Sequence, residues 1–335
     1  MATKLADRSI LLPSERSLAP FNYRNPTKLS NSGLYKFSNG NSMKAKFFLR
    51  KIKIEFPQIK WKKYRILSHG WDYIVIVLDE KIIFRFPKNK RGRGELKNEA
   101  RLLDYLKKKI RVGIPEYIFI AKNKSFAGYN LLKGQELKPS QFKRFAISKK
   151  EKFAKQIANF LTSLHSTPKL AISRFNVRTE NFRKDYMKLS HNTQKFLFPR
   201  LNKKERQIIQ GYLNELKATL DHSDYRNTLV HNDLTWEHIL WDNKKSQVNI
   251  IDFGDRKFGD PASDFAGLWE FGSKLIKRVY ELYRGKKDDK FLYRSQLYFK
   301  RIPLFIMKGA LDGYPCTFKE GRDTFKKRFK IAKNF

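Results

Sequence analysis

The stretch from Leu229 to Asp264, LVHNDLTWEHILWDNKKSQVNIIDFGDRKFGDPASD, restricts the fold of this chain more than any other. It holds two polar clusters: His231-Asn232-Asp233 with His238, and Asp252-Phe253-Gly254-Asp255. A short apolar run adjoins each, Ile239-Leu240-Trp241 and Val248-Asn249-Ile250-Ile251, and the polar linker Asp242 to Gln247 joins the two runs. Short apolar runs bounded by turn residues read as the strands of a β-hairpin. The hairpin carries a carboxylate loop at each end and brings Asp233, His238 and Asp252 together, close enough to share a metal-bound phosphate.

Phosphoryl transfer needs a carboxylate that aligns the attacking hydroxyl and accepts its proton, and ligands for the magnesium that bridges the phosphates. Asp233 suits the first task and Asp252 the second. Protein kinases use H-R-D-x-x-x-x-N and then D-F-G. Here the first motif is H-N-D-L-T-W-E-H, with His238 at the Asn position, and D-F-G is unchanged.

The order H-N-D-x-x-x-x-H-I-L, I-I-D-F-G-D, G-D-P-x-x-D resembles the aminoglycoside phosphotransferase family, and most closely its 2''-phosphotransferases, where His replaces the Asn. The resemblance implies that Asp233 is the catalytic residue, that His238 and Asp252 hold Mg2+, and that Asp264 is a buried prop for the catalytic loop. His231 is expected to orient that loop, and Asp255 and Asp260 to shape turns. ATP or GTP would be the donor, and the acceptor a hydroxylated small molecule such as an aminoglycoside or amino sugar. Magnesium prefers oxygen ligands, so a core histidine beside Ile239 and Leu240 is the alternative reading of His238.

Upstream, Lys44 to Glu55 forms a basic helix that Pro57 ends. Strands are expected over Lys60 to Leu67, Tyr73 to Leu78 and Lys81 to Phe86. The turn Ser68-His69-Gly70-Trp71-Asp72 lies between the first two, and the backbone N–H groups at Gly70 and Trp71 are candidates to cover phosphates. In the strand Ile82-Ile83-Phe84-Arg85-Phe86, the family pattern places the phosphate-holding residue at Arg85, with Lys88 as the lesser candidate. Gly94 to Lys108 reads as a helix with Leu96, Leu103 and Leu106 on one face and Glu99 among them. A carboxylate on an inward face needs a cation, and Arg85 is the expected partner.

Further strands are expected from Ile114 to Ala121 and from Ser125 to Leu132. Gly134 then turns the chain into a second lobe. The segment F-A-G-Y-N-L-L-K-G-Q-E-L resembles the family's hinge, where backbone groups near Asn130 and Leu132 would meet the nucleotide base. Ser148 to His165 is amphipathic, with His165 expected as its C-terminal cap. Residues 176 to 221, Phe265 to Arg284, Lys290 to Met307 and Lys319 onward read as helical. Polycationic acceptors need acidic walls, for which Glu270, Glu281, Asp288 and Asp289 are the candidates.

The expected fold is therefore α+β and protein-kinase-like in two lobes. Residues 1–42 form a poorly ordered basic extension. Residues 43–132 form a five-stranded antiparallel sheet with one helix, and 133–335 a mainly helical lobe with the catalytic loop and acceptor region. Charge is the compositional outlier, with 72 Lys+Arg against 32 Asp+Glu for a formal +40. Lysine is spread along the chain, as a base-composition effect produces, yet nonspecific polyanion binding would follow. A kinase-like scaffold that binds nucleic acid without catalysis is the competing function. No apolar run reaches the roughly 18 residues of a membrane span. The single Cys316 excludes an internal disulfide and a cysteine-based zinc site. A cytoplasmic, monomeric enzyme is the expectation.

Overall fold

The computed structural model describes residues 42–67, 73–88, 90–223 and 225–331. The expected basic extension, apart from its last residue, and the Gly70-Trp71 turn lie outside these. Helix α1 (Ser42–Glu55) opens the described chain. Its Phe48, Leu49 and Ile52, with Phe56 just beyond, pack on one face of a sheet through Ile76, Leu78, Phe84, Phe86 and Phe126.

That sheet has five strands, β1 (Tyr64–Leu67), β2 (Tyr73–Leu78), β3 (Ile82–Pro87), β4 (Tyr117–Ile120) and β5 (Ala127–Asn130). They lie in the order β1-β2-β3-β5-β4, every pair antiparallel. The alternation of β2 decides what each face does. Ile74, Ile76 and Ile82 turn toward α1. Tyr73 and Val75 turn the other way, against Leu96 of α2 (Lys90–Leu106). Arg85 stands opposite Val75 and Ala127 in the register, so it shares the α2 side of the sheet. Leu102, Leu103 and Leu106 of α2 reach the core of the second lobe.

Gly134, at φ 110°, makes the expected turn into that lobe. Strand β6 (Gln135–Glu136), α3 (Pro139–Lys143) and α4 (Ile147–His165) follow. Helix α4 is the lobe's axis, burying Phe153, Ile157, Phe160, Leu161 and Leu164. Next come α5 (Lys169–Ser173), α6 (Phe182–Asn192) and α7 (Lys203–Asp221). The expected hairpin is present as β8 (Ile239–Asp242) and β9 (Gln247–Ile250), with β6 added at its edge. Strands β7 (Thr228–Val230) and β10 (Lys257–Gly259) flank it as an antiparallel pair. Helices α8 (Ser273–Leu282), α9 (Phe291–Leu311) and α10 (Phe318–Ile331) complete the chain.

Two helical expectations need correction. Residues 176–181 are not helical: Asn176 is a turn residue at φ 50°, and beyond it the Glu180 N–H bonds the Phe258 carbonyl at 2.8 Å and Thr179 bridges Phe258 alongside β10. The Phe265 to Arg284 segment begins as 3₁₀ turns, Pro261–Phe265 and Gly267–Phe271, and Gly272 at φ 101° separates them from α8. No helix among the described residues is long and apolar enough to cross a membrane.

Candidate active site

The loop between β7 and β8 is fixed from beneath by one carboxylate. Asp264 is fully buried. Its Oδ2 accepts the His231 N–H at 2.9 Å and its Oδ1 the Asn232 N–H at 2.6 Å. Asn232 adopts φ 66°, a left-handed conformation that Asn tolerates better than most residues. His231 adds two side-chain bonds, Nε2–H to the Ile251 carbonyl at 3.0 Å and Nδ1 accepting the Asp233 N–H at 3.3 Å. That pattern requires a neutral ring, and burial lowers its pKa to about 4.

His165 was expected as a helix cap. It does end α4, but its ring is buried and bonded elsewhere, with Nε2 3.0 Å from Asp264 Oδ2 and Nδ1 2.7 Å from the Tyr283 hydroxyl. It steadies the carboxylate that steadies the loop. A second close contact comes from Gly267, where a Cβ would fall 2.1 Å from the Leu234 carbonyl oxygen. The 3₁₀ turn therefore packs directly on the loop.

Asp233, His238 and Asp252 are brought together as the hairpin implies. His238 Nδ1–H donates to the Asp233 main-chain carbonyl at 2.7 Å, and the same nitrogen is 3.3 Å from Asp233 Oδ2. A bond at Nδ1 fixes the ring and turns the Nε2 edge outward. Nε2 lies 3.6 Å from Asp252 Oδ2. Burial pushes the Asp233 carboxyl up, and its Oδ1 is buried without a hydrogen-bond partner. For His238 burial opposes charge, but the facing Asp233 and Asp252 carboxylates outweigh it and raise the ring. For Asp252 burial is likewise outweighed, and Arg85 and His238 hold its carboxyl below the usual range. Asp252 sits at φ 65°, in the left-handed region that few non-Gly residues adopt.

Across the cleft, Arg85 Nη1 meets Glu99 Oε1 at 2.6 Å, both side chains buried, and Arg85 Nη2 reaches Asp252 Oδ1 at 3.3 Å. The expected pair thus exists, and it is linked through Asp252 to the second lobe. Lys88 is exposed just past the end of β3. At the hinge, Asn130 closes β5 opposite Ile82, and Leu132 follows it, partly buried. Tyr117, which the sequence reading passed over, also bonds the Arg85–Glu99 pair.

The acids proposed for an acceptor wall are less available than the sequence implied. Glu270 pairs with Arg328 at 2.5 Å, Asp288 with the fully buried Arg294 at 2.5 Å, and Glu281 with Arg278 at 2.9 Å. Asp289 is exposed. Asp260, expected as a turn residue, caps the Pro261–Phe265 turn and is itself clamped by Arg294 and the Tyr298 hydroxyl.

With its Nε2 proton released, His238 would join Asp252 as an imidazole nitrogen beside a carboxylate, a set that fits a divalent cation taking its remaining ligands from phosphate and water. The described residues contain no cluster of three or more His, Cys, Asp or Glu placed to hold a metal.

Comparison with known proteins bears on the family and the fold. Residues 63–291 match the model of the phosphotransferase enzyme family. The GDP complex of wild-type aminoglycoside 2'-phosphotransferase-IIIa is 26% identical, with a TM-score of 0.77 over 86% of this chain and 99% of that one. The GDP and kanamycin complex of APH(2")-IIia is 25% identical, with a TM-score of 0.75 over the same shares. Macrolide 2'-phosphotransferase type I, 18% identical with a TM-score of 0.61 over 87% of this chain and 96% of that one, shares the fold. With the motifs, the sheet-and-helix architecture and a family match spanning both lobes in agreement, this chain belongs to the phosphotransferase enzyme family.

Proposed function

We propose that this protein transfers the γ-phosphoryl group of ATP or GTP to a hydroxyl of a small molecule, with Asp233 as the residue that receives the acceptor. The observation that carries the reading is the continuous contact chain Glu99–Arg85–Asp252–His238–Asp233, which spans both lobes. Arg85 presents a guanidinium to the phosphates, where its planar donors can bind two oxygens at once. Asp252 and His238 would hold Mg2+, and Mg2+ when bound would offset charge on the β- and γ-phosphates. Asp233 aligns the acceptor hydroxyl and takes up its proton as the phosphoryl group departs. Its burial supports this role, because a carboxyl pushed up toward the working pH is, in its ionised form, the stronger base. Asn130 and Leu132 would meet the base along the hinge.

The neighbouring structures support a nucleotide donor and an aminoglycoside-type acceptor, since their names give GDP and kanamycin. The pairing of Glu270 and Asp288 with Arg328 and Arg294 favours acceptors of lower positive charge. A scaffold that binds nucleic acid through its +40 charge would have no need to keep Asp233 and Asp252 in register. The test is nucleotide consumption with Mg2+ against a panel of aminoglycosides, amino sugars, choline-like alcohols and nucleosides. At least one acceptor should stimulate turnover in the native protein and none in Asp233→Ala. Absence of both nucleotide binding and acceptor-stimulated turnover overturns the reading.

A further inference from the structure

We propose that Tyr117 is a positioning residue for Arg85, and that with Tyr73 it fixes the guanidinium so that the Nη2 edge faces the phosphates. The proposal rests on the reading of Arg85 as the phosphate-binding cation. Three contacts define the arrangement. Arg85 Nη1 donates to Glu99 Oε1 at 2.6 Å and to the Tyr117 hydroxyl at 2.8 Å, and that hydroxyl donates to the same Glu99 oxygen at 3.0 Å. The guanidinium carbon lies 4.0 Å above the centre of the Tyr73 ring. Nη1 is thereby occupied, and Nη2 is the edge that points across the cleft to Asp252 at 3.3 Å.

The need for such a frame follows from the residue type. A lysine at this place is a point charge that one carboxylate can hold. A guanidinium is a plane with donors along its edges, and its value for phosphate depends on which edge is presented. One contact to Glu99 leaves the plane free to turn about that bond. A second acceptor on the same nitrogen and an aromatic ring beneath the plane remove that freedom.

The backbone of β4 is shaped to deliver the hydroxyl. Strict alternation would place Tyr117 and Phe119 on the same face of the sheet. Instead Tyr117 stands opposite Tyr129 while Phe119 stands opposite Gly128, so β4 holds one residue more than β5 at this point. Such a bulge re-aims one side chain. Phe119 packs toward Phe56 and Phe84 on the α1 side. Tyr117 packs with Tyr73, Leu96 and Ala127 on the α2 side, where Arg85 and Glu99 are. Without the extra residue the phenol would face the wrong core.

The experiment measures dissociation constants by calorimetry, with Mg2+, for ATP and GTP and for the nucleosides adenosine and guanosine, which lack phosphates. Tyr117→Phe should weaken the better nucleoside triphosphate about tenfold, the effect of one hydrogen bond to a charged group. Its nucleoside should bind within twofold of the native protein. Tyr73→Leu, which keeps apolar bulk, should produce a severalfold loss with the same split. In the Arg85→Lys background, Tyr117→Phe should cost less than in the native one, because no plane remains to orient. If Arg85→Ala abolishes triphosphate binding while Tyr117→Phe and Tyr73→Leu leave it unchanged, Arg85 stands and the frame falls. Equal weakening of nucleoside and triphosphate also overturns the proposal, since it marks a general distortion of the cleft. If Arg85→Ala leaves triphosphate binding intact, the phosphate role of Arg85 fails, and the proposal with it.

Discussion

His165 Nε2 and Asp264 Oδ2 meet at 3.0 Å inside the second lobe, 99 positions apart in the chain. The same Asp264 carboxylate accepts the N–H groups of His231 and Asn232. One buried side chain therefore joins the end of α4 to the loop that carries Asp233. Asp264→Ala removes an acceptor from two buried N–H groups and a histidine at once. The expected loss is about 3–5 kcal/mol, read as a lower urea midpoint at unchanged slope. Asp264→Asn keeps one acceptor oxygen and should lose less.

Gly267→Ala adds a single methyl group where the Leu234 carbonyl already stands. Relief requires moving the loop that carries Asp233 or the 3₁₀ turn. Overpacking of this kind costs about 1–3 kcal/mol. Turnover should fall by more than that stability loss explains, since Asp233 precedes Leu234 directly. An alanine variant with native turnover would refute the contact.

Arg85 and Glu99 are buried as a pair. Arg85→Met leaves Glu99 charged without its cation, and a loss of about 3–5 kcal/mol is expected. Adding Glu99→Leu should restore most of that stability, because an apolar pair replaces an apolar-buried ion pair at little net cost. Triphosphate binding should stay lost in the double variant. Chemical denaturation and calorimetry on the two proteins separate the two effects.

Asp233 is buried with one oxygen unpartnered. Asp233→Asn should leave the unfolding midpoint unchanged or lowered, because the buried His238 ring loses the carboxylate that faces it at 3.3 Å. Acceptor-stimulated turnover should drop about 10²–10⁴-fold, the usual contribution of a general base. A drop in stability with activity retained would contradict the assignment.

His231 makes stability depend on acid. Its folded pKa is about 4 against an ordinary 6.5, so the unfolded chain binds more protons between these values. Stability should therefore decline as pH falls from 6.5 toward 4, by about 3 kcal/mol over the full window. His231→Asn should show a smaller decline over that range in denaturant titrations at each pH.

Much of the fold was legible because it rests on local pattern. The hairpin from Ile239 to Ile250 follows from two apolar runs and a polar linker, and β2 is read to the residue. Helix α2 is visible from leucines at helical spacing, with Glu99 among them as the inward carboxylate that demands a cation. The short strands β6, β7 and β10 were missed because two or three residues carry no period. The helical reading of 176–181 failed because β10 offers that segment hydrogen bonds that no local propensity reveals.

The amino-acid order alone determined the motifs and their spacing, because Asp233 and His238 lie within a few residues of one turn and a short hairpin joins them to Asp252. Only the tertiary structure decided which distant groups serve that site. Tyr117 reaches Arg85 because a bulge reverses one side chain. His165 supports Asp264 because α4 ends beneath the loop, and Glu270 loses its free charge to Arg328, 58 positions along the chain. Such contacts depend on packing between elements, and side-chain periodicity within one element carries no information about them.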